Sequence, residues 1–146
     1  MRVALLVDGL GGGGAERQAI TMAQGLTPRV ALLEVVAYHG VNDYEEFLAQ
    51  QQIRHVTVDA GRGPARILGL ARYFRHRRFD VVHCVKENAS LWGRPAALAA
   101  RTPAIFGGLR LAYPGPLPHR RLHRLQSMIV PDWIVNAHSI KRYLLE

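Results

Sequence analysis

Short, almost continuously apolar segments alternate with longer segments of helical periodicity along the chain, and this alternation constrains the fold more than any other feature. Val, Ile and Leu dominate residues 2–8, 29–38 and 79–85, which predicts strands covered on both faces. Helices of ten or more residues between such strands predict crossover connections and a mostly parallel sheet. We therefore predict an α/β, Rossmann-like, doubly wound domain of about six strands, with helices on both faces.

Local patterns place the individual elements. Strands are predicted at residues 2–8, 29–38, 54–59, 79–85, 103–107 and 133–137, and helices at 15–26, 43–51, 64–77, 88–101, 119–129 and 139–146. Asp43 and Glu46 form a capping-box pattern for the second helix. Pro95 is expected near the first turn of the fourth helix or at a kink in it, and the prolines within residues 111–118 predict a loop. Right-handed crossovers favour the strand order 3-2-1-4-5-6.

Length and composition are those of one globular domain. The chain has 146 residues, of which 49% are hydrophobic and 21% are charged. No apolar run approaches the roughly 20 residues of a membrane-spanning helix, and the first apolar run, broken by Asp8, does not resemble a signal peptide. Cys84 is the single cysteine, so no intrachain disulfide forms and the expected location is the cytoplasm.

The net charge of +8 comes almost wholly from arginine, since Lys86 and Lys141 are the only lysines. Two interpretations remain open, namely a surface that meets anionic partners and arginine-biased codon usage. Two predicted helices are crowded with arginines, Arg66, Arg72, Arg75, Arg77 and Arg78 in one and Arg120, Arg121 and Arg124 in the other. They indicate either a peripheral membrane surface or solvated helix faces. No zinc-finger, basic-zipper or ribonucleoprotein motif is present, so nucleic acid is not an expected partner.

The predicted topology indicates where a ligand binds. Ligands of doubly wound sheets lie at the carboxyl ends of the strands where the winding reverses, between the first and fourth strands. Residues 9–16 follow the first of these strands, and residues 85–88 follow the fourth. Glycines allow positive φ and close approach of a ligand, and the next helix begins with a positive dipole end. A flexible turn without a ligand is the alternative. The candidate residues of this first segment are Gly11, Gly12, Gly13, Gly14, Glu16 and Arg17.

Further candidates follow the later strands. Lys86, Glu87 and Asn88 either reach the crevice or begin a helix with Asn88 as its N-cap. Arg110 follows two glycines that we expect to open the backbone to the crevice, and its guanidinium suits a phosphate or carboxylate; an exposed loop arginine is the alternative. Asn136 either reaches the crevice or caps the last helix.

Histidine and cysteine give no sign of a metal site. His83 lies within a predicted strand, where a packed and hydrogen-bonded histidine is the simpler interpretation than a catalytic base. Cys84 is expected to be a small buried hydrophobic residue. No second cysteine and no pair of histidines stand at metal-ligand spacing.

Gly9, Gly11 and Gly14 also satisfy Gly-x-Gly-x-x-Gly, the pattern of dinucleotide-binding loops. That pattern requires an acidic residue at the end of the second strand. The strand ends here in Ala-Tyr-His, and Glu34 lies inside it. An oxidoreductase with an NAD-type cofactor is therefore an alternative rather than the main prediction.

Residues 11–18, Gly-Gly-Gly-Gly-Ala-Glu-Arg-Gln, resemble the glycine loop of many family 4 glycosyltransferases of the GT-B fold. Residues 79–83, 91–94 and 133–137 are similar to later segments of that family. The resemblance implies that residues 1–146 form the N-terminal, acceptor-side domain, without the donor-binding C-terminal domain. It also implies a retaining, metal-free transfer from a nucleotide-sugar to a sugar or lipid-linked acceptor, in polysaccharide, glycolipid or glycoconjugate synthesis at the cytoplasmic membrane face.

The resemblance also implies residue roles. Gly12 to Gly14 approach the phosphate or sugar of the donor, and Glu16 and Arg17 lie near donor or acceptor. The sequence departs from the family where Val85 replaces a frequent histidine, so Lys86, Glu87 or Asn88 take over acceptor positioning. The paired glutamates of the donor domain are absent, and the isolated chain is expected to be inactive. A binding module without catalysis is the remaining alternative.

Overall fold

One parallel sheet organises the domain. The structure, a computed structural model, describes residues 1–110 and 117–145. Within them six strands lie in the order β3-β2-β1-β4-β5-β6, and every neighbouring pair is parallel. The predicted order and the parallel sheet are confirmed. The strands are β1 (Arg2–Val7), β2 (Leu32–Ala37), β3 (Arg54–Thr57), β4 (Val81–Cys84), β5 (Ala104–Leu109) and β6 (Trp133–Val135).

Helices cover both faces of the sheet, as predicted. They are α1 (Gly14–Leu26), α2 (Glu45–Gln50), α3 (Ala65–Arg77), α4 (Glu87–Ala99), α5 (Leu117–Ile129) and α6 (His138–Leu145). One buried cluster joins alternate residues of β1 and β2 to α1 and α2, and another joins the opposite face to α3 and α4. Since side chains alternate along a strand, β1 contributes Leu5 to the first cluster and Leu6 to the second. The central strands are therefore buried on both faces.

The second strand is shorter than predicted. Thr27–Arg29 form a turn of 3-10 helix with a proline in its first turn, and β2 begins only at Leu32. The fixed φ of proline favours this turn over an extended backbone. The predicted loop at residues 111–118 falls largely on residues 111–116, which lie outside the described part of the chain, and α5 already begins at Leu117.

The N-caps predicted at Asp43 and Asn88 are wrong. Helix α2 has Tyr44 as its N-cap residue, and no side chain caps it. Asn42 forms the turn in place of Asp43, because its Oδ1 accepts a hydrogen bond from Tyr44 N at 3.1 Å. Its Nδ2 lies 3.2 Å from His55 Nδ1 on β3, which holds the turn against the sheet. Helix α4 has Lys86 as its N-cap residue, so Asn88 lies within the first turn.

Pro95 lies in the interior of α4 rather than near its first turn. Proline lacks an N–H, so the carbonyl of Leu91 loses its helical partner. Gln126 of α5 replaces that partner, because its Nε2 donates to Leu91 O at 2.9 Å. The carbonyl that proline leaves without a helical partner therefore accepts a hydrogen bond that joins α4 to α5.

Glu34 is a structural residue on β2. Its carboxylate is fully buried, accepts a hydrogen bond from Tyr73 Oη at 2.8 Å and forms an ion pair with Arg54, whose Nε lies 2.8 Å from Glu34 Oε1. Arg77 also pairs with it. The carboxylate raises the pKa of the Tyr73 hydroxyl in addition to the effect of burial. Glu34 therefore anchors α3 and β3 to the sheet and does not face the crevice between β1 and β4.

Candidate ligand-binding site at the carboxyl edge of the sheet

The segments after β1 and β4 meet at the carboxyl edge, where the winding reverses. Strands β1 and β4 are hydrogen-bonded neighbours, so Asp8 and Lys86, which follow them, are adjacent. Lys86 Nζ lies 3.3 Å from Asp8 Oδ2, and it also donates to Glu16 Oε1 at the start of α1. Burial alone lowers the pKa of Lys86, but its hydrogen bond to Glu16 and the charge of Asp8 raise it overall. Lys86 is therefore held as a cation between two carboxylates.

Glu16 already occupies the positive end of α1. Its side chain is buried and folds back over the glycine loop, so that a Cβ on Gly13 would collide with Glu16 Oε2. Gly13 is the N-cap residue of α1, and it makes no side-chain capping hydrogen bond to this helix. A carboxylate near this helix end is stabilised by the backbone N–H groups and the dipole.

The glycine loop has ordinary backbone conformations. Among the described residues the glycines with positive φ are Gly61 and Gly63, so this loop does not use the freedom of glycine to adopt positive φ. A Cβ at Gly14 would have no neighbour within 4 Å, and a Cβ at Gly12 would meet only Asp43 Oδ2 at 3.8 Å. The packing of the domain therefore requires glycine at Gly13 alone among these positions, and Gly11, Gly12 and Gly14 leave the edge open.

Glu87 and Arg110 form a second polar group at the same edge. Glu87 Oε1 accepts a hydrogen bond from Arg110 N at 2.6 Å, and Arg110 Nε donates to Val85 O at 3.0 Å. Burial lowers the pKa of Arg110, and the charge of Glu87 partly offsets this. These contacts fix the Arg110 side chain against the end of β4 rather than in an exposed loop.

The remaining predicted residues are spread along the edge. Arg17 and Asn88 are exposed in the first turns of α1 and α4. Asn136 is exposed after β6, two strands beyond β4, and so is not brought to Lys86 and Glu16. The structure therefore unites Glu16 with Lys86 and Glu87 with Arg110, while Arg17, Asn88 and Asn136 stand apart.

The two glycines before Arg110 do not open the backbone, and that expectation is wrong. Gly108 is buried, and a Cβ there would collide with the carbonyl oxygens of Cys84 and Val85. Ser90 Oγ accepts from Gly108 N at 2.9 Å and donates to Gly108 O at 3.0 Å. At Gly107 a Cβ would lie 2.7 Å from Cε3 of Trp133. Both glycines thus serve close packing of β5.

His83 and Cys84 are buried in β4, as predicted. Burial, together with the charge of Arg110, lowers the pKa of His83 to about 4. The predicted hydrogen bond is missing at Nε2, which has no partner. Burial raises the pKa of the Cys84 thiol to about 12. At neutral pH His83 is therefore uncharged and Cys84 is not a thiolate.

Sequence reasoning missed a group on the α3 side of the edge. Tyr38 directly follows β2 and is buried beneath Arg66 of α3, whose Cζ lies 4.4 Å from the centroid of the Tyr38 ring. Trp92 of α4 is the second aromatic neighbour, at 5.8 Å. The signal that the sequence offered was the position of Tyr38 directly after a buried strand. Arg66 gave none, because it lies among arginines that face solvent.

The arginines do not form the single α3 surface that the sequence suggested. Arg66 lies against the two aromatic rings, Arg77 pairs with Glu34, and Arg75 donates to Ala99 O at 2.9 Å. Helix α5 presents exposed apolar side chains beside its arginines, namely Leu122, Leu125, Met128 and Ile129. Among the described residues no helix has the length and apolar character needed to span a membrane.

The fold defines the class of the domain: a Rossmann-like half of the GT-B architecture. Particular solved structures share this fold. The crystal structure of Anabaena HepE in complex with UDP and glucose matches with a TM-score of 0.77 and 16% identity, covering 99% of this chain and 40% of that one. HepE in complex with UDP-glucose matches at 0.72 and 16%, with the same coverage.

A further glycosyltransferase has the same half-fold. The apo form of the lipopolysaccharide outer core galactosyltransferase WaaB matches with a TM-score of 0.65 and 14% identity, covering 99% of this chain and 42% of that one. The chain therefore spans about 40% of the length of the HepE structures. No protein-family model matches the sequence, and no curated protein matches it either.

Proposed function

We propose that this chain is the acceptor-side half of a retaining, family 4-like glycosyltransferase that uses a nucleotide-sugar donor. The observation that carries the proposal is the meeting of the glycine loop with Lys86 at the β1–β4 reversal. One of the structural neighbours, HepE, is bound to UDP and glucose in one structure and to UDP-glucose in another. In this proposal Gly12 and Gly14 face the donor phosphates or sugar, and the other half of the two-domain architecture supplies most of the donor site.

The space around the glycines supports this role. Since Gly12 and Gly14 are exposed and the fold has room for a side chain at both, packing does not explain the absence of one. Close approach of a ligand to the backbone does explain it. Lys86 provides a fixed cation beside this backbone, and Glu87 and Arg110 extend the polar edge towards β5. We assign acceptor positioning to this part of the edge and to Asn88.

Hydrolysis of the donor by the full-length polypeptide encoded by the gene tests the proposal without knowledge of the acceptor. A panel of uridine- and guanosine-linked sugars is incubated with the enzyme, and nucleotide release is measured. Proton NMR of the first sugar released reports its anomeric configuration, which retention predicts to match the donor. NADH is titrated in parallel, and micromolar binding of NADH with no nucleotide release would overturn the proposal.

A matched pair of variants ties the activity to the loop. Gly12→Val adds a side chain where the fold has room but the ligand approaches, so the rate of nucleotide release should fall about ten-fold or more. Gly40→Val adds the same side chain at another exposed position with no neighbour within 4 Å, and should leave the rate unchanged. Equal rates for both variants would exclude the loop from the donor site.

We also propose a cytoplasmic location with peripheral binding to an anionic membrane through α5. Leu125 and Met128 are 57% and 82% exposed, and residues 117–129 contain no acidic residue. Apolar side chains beside Arg121 and Arg124 suit the boundary between acyl chains and anionic head groups. This surface would bring the ligand edge to a lipid-linked acceptor.

Co-sedimentation with vesicles tests the membrane proposal. The chain should sediment with vesicles that contain phosphatidylglycerol and less with vesicles of phosphatidylcholine alone. Met128→Asp should reduce binding, whereas Leu98→Asp, at an exposed leucine of α4, should not. If both variants bind the vesicles equally, α5 does not form the membrane-binding surface.

A further inference from the structure

A cavity of about 530 Å³ lies at the amino edge of the sheet, where α3 and α4 end and β4 and β5 begin. Its volume is within the range of pockets that bind small organic ligands, about 300–1,000 Å³. The six residues of β1 separate this edge from the glycine loop by about 20 Å. The cavity is lined on the side of the core by the buried Phe74 and Phe79, and its charged residues are Arg75, Arg78, Asp80 and Arg101.

Positive charge dominates this cavity. Three arginines and one aspartate line it, which leaves an excess of two positive charges. The three arginines are exposed at the surface, and the Asp80 carboxylate already accepts a hydrogen bond from Arg2 N at 2.7 Å. Within the described part of the chain, neither Arg78 nor Arg101 forms an ion pair. Their guanidinium groups are therefore available to an anion that enters the cavity.

Helix capping does not explain Arg78 and Arg101. Basic side chains near the end of a helix commonly donate to its last carbonyl groups. Backbone N–H groups already fill that role here, since Arg78 N donates to Phe74 O at 2.9 Å in α3. In α4, Arg101 N donates to Leu98 O at 2.9 Å. These carbonyl groups are paired without any contribution from the two guanidinium groups.

The backbone at these two positions favours a different residue. The φ angle is 52° at Arg78 and 60° at Arg101, in the left-handed region where a Cβ is strained and where helices usually end with glycine. Both helices have an arginine at this position, and both arginines line the same cavity. Local structure therefore does not require arginine at either position, whereas a ligand that needs two guanidinium groups does.

We propose that this cavity is a second ligand site, which binds the dianion of a phosphate monoester. Such a group carries nearly two negative charges at neutral pH, which matches the excess of positive charge. Arg78 and Arg101 approach it from the ends of α3 and α4 and donate to its oxygens. Arg75, whose Nη2 donates to Ala99 O at 2.9 Å, has further N–H groups for the same ligand. The site goes beyond the proposed function and does not depend on it.

Titration of the ¹⁵N-labelled chain with glycerol phosphate tests the site. The ester is added at millimolar concentration and constant ionic strength, and parallel samples receive glycerol or sodium chloride. Glycerol phosphate should shift the backbone amide signals of Arg78 and Arg101 in a saturable manner, and neither control should do so. Shifts confined to the glycine loop, or the same shifts with sodium chloride, would overturn the proposal.

The combined variant Arg78→Gly and Arg101→Gly removes both guanidinium groups and suits the left-handed backbone. It should bind glycerol phosphate about ten-fold or more weakly, while Tm changes by less than about 3 °C. Gln52→Gly is the matched control, because Gln52 has a φ of 54° away from the cavity, and it should keep full binding. Lysine at both arginine positions retains the charge and should keep most of the binding. Undiminished binding in the glycine variant refutes the site, and asparagine at both positions, which tolerates this backbone, repeats the test if that variant is unfolded.

A vesicle experiment separates a soluble ester from a lipid head group. Phosphatidic acid carries a phosphate monoester and phosphatidylglycerol does not, so the chain and its double glycine variant are sedimented with vesicles of each lipid. Given binding of glycerol phosphate, a loss of sedimentation in the variant with phosphatidic acid alone assigns the site to a lipid head group. Any other sedimentation result assigns it to a soluble organic phosphate.

Discussion

The contact of Glu16 with the glycine loop makes a sharp prediction about two neighbouring glycines. A methyl group at Gly13 collides with Glu16 Oε2, whereas a methyl group at Gly14 meets nothing within 4 Å. Neither residue has a positive φ, so the backbone accepts alanine at both positions. We therefore expect Gly13→Ala to destabilise the domain and Gly14→Ala to stabilise it.

The magnitude follows from the Glu16 contacts. The side chains of Glu16 and Lys86 are 9% and 24% exposed. The hydrogen bond between them is charge-assisted and worth about 1.5–3 kcal/mol when buried, a value that partial exposure of Lys86 reduces to about 1–2 kcal/mol. Replacing glycine by alanine without strain gains about 0.4–1 kcal/mol. Gly13→Ala should thus cost about 1 kcal/mol, and the two variants should differ by about 2 kcal/mol.

Urea unfolding at neutral pH measures this difference, because the free energy of unfolding falls linearly with denaturant. The two variants carry the same substitution at adjacent residues, so effects on the unfolded chain largely cancel. A Glu16→Gln background provides the control, since the penalty at Gly13 should shrink when the charge has gone. If Gly13→Ala and Gly14→Ala stabilise the domain equally, Glu16 does not occupy the start of α1.

Three further predictions concern the core. Since burial depresses the pKa of His83 to about 4, the unfolded state takes up its proton first as the pH falls. Stability should drop by about 2 kcal/mol between pH 7.5 and pH 5, and His83→Gln, but not the exposed His76→Gln, should flatten this dependence in urea unfolding. Gly93→Ala places a Cβ 2.6 Å from Cys84 Sγ, so this variant should lose about 1–3 kcal/mol of stability. The control Gly25→Ala in α1 should gain about 0.5–1 kcal/mol. Equal changes of the melting temperature in the two variants would contradict this prediction. Gln126→Leu frees Leu91 O and should cost about 1 kcal/mol in the same assay, and no loss would mean that water replaces the amide.

The order of the sheet was predictable because its determinants are local. Strands buried on both faces are visible as apolar runs, and the hand of the crossovers leaves few topologies. The boundaries of the helices and strands depended on contacts between residues that are distant in the sequence. The start of α2 is set by Asn42, whose side chain also contacts His55 on another strand. By sequence spacing alone, the capping-box pattern that begins at Asp43 predicts the start of this helix equally well.

The site was predictable in its location and less so in its contacts. Topology places residues 9–16 beside residues 85–88, and the contact of Glu16 with Lys86 confirms that these segments meet. That the two side chains pair with each other does not follow from spacing. Tyr38 and Arg66 were missed because their meeting requires α3 to return across the sheet, and because nothing local separates Arg66 from Arg72, which is exposed.

The position of the Glu16 carboxylate beside the glycine loop also affects how a donor phosphate would bind there. The start of α1 carries its own counter-ion before any ligand arrives. For the donor phosphate proposed here, association is then an exchange of one anion for another rather than a net neutralisation. Its affinity should respond only weakly to ionic strength, and a steep salt dependence would show that Glu16 stays in place.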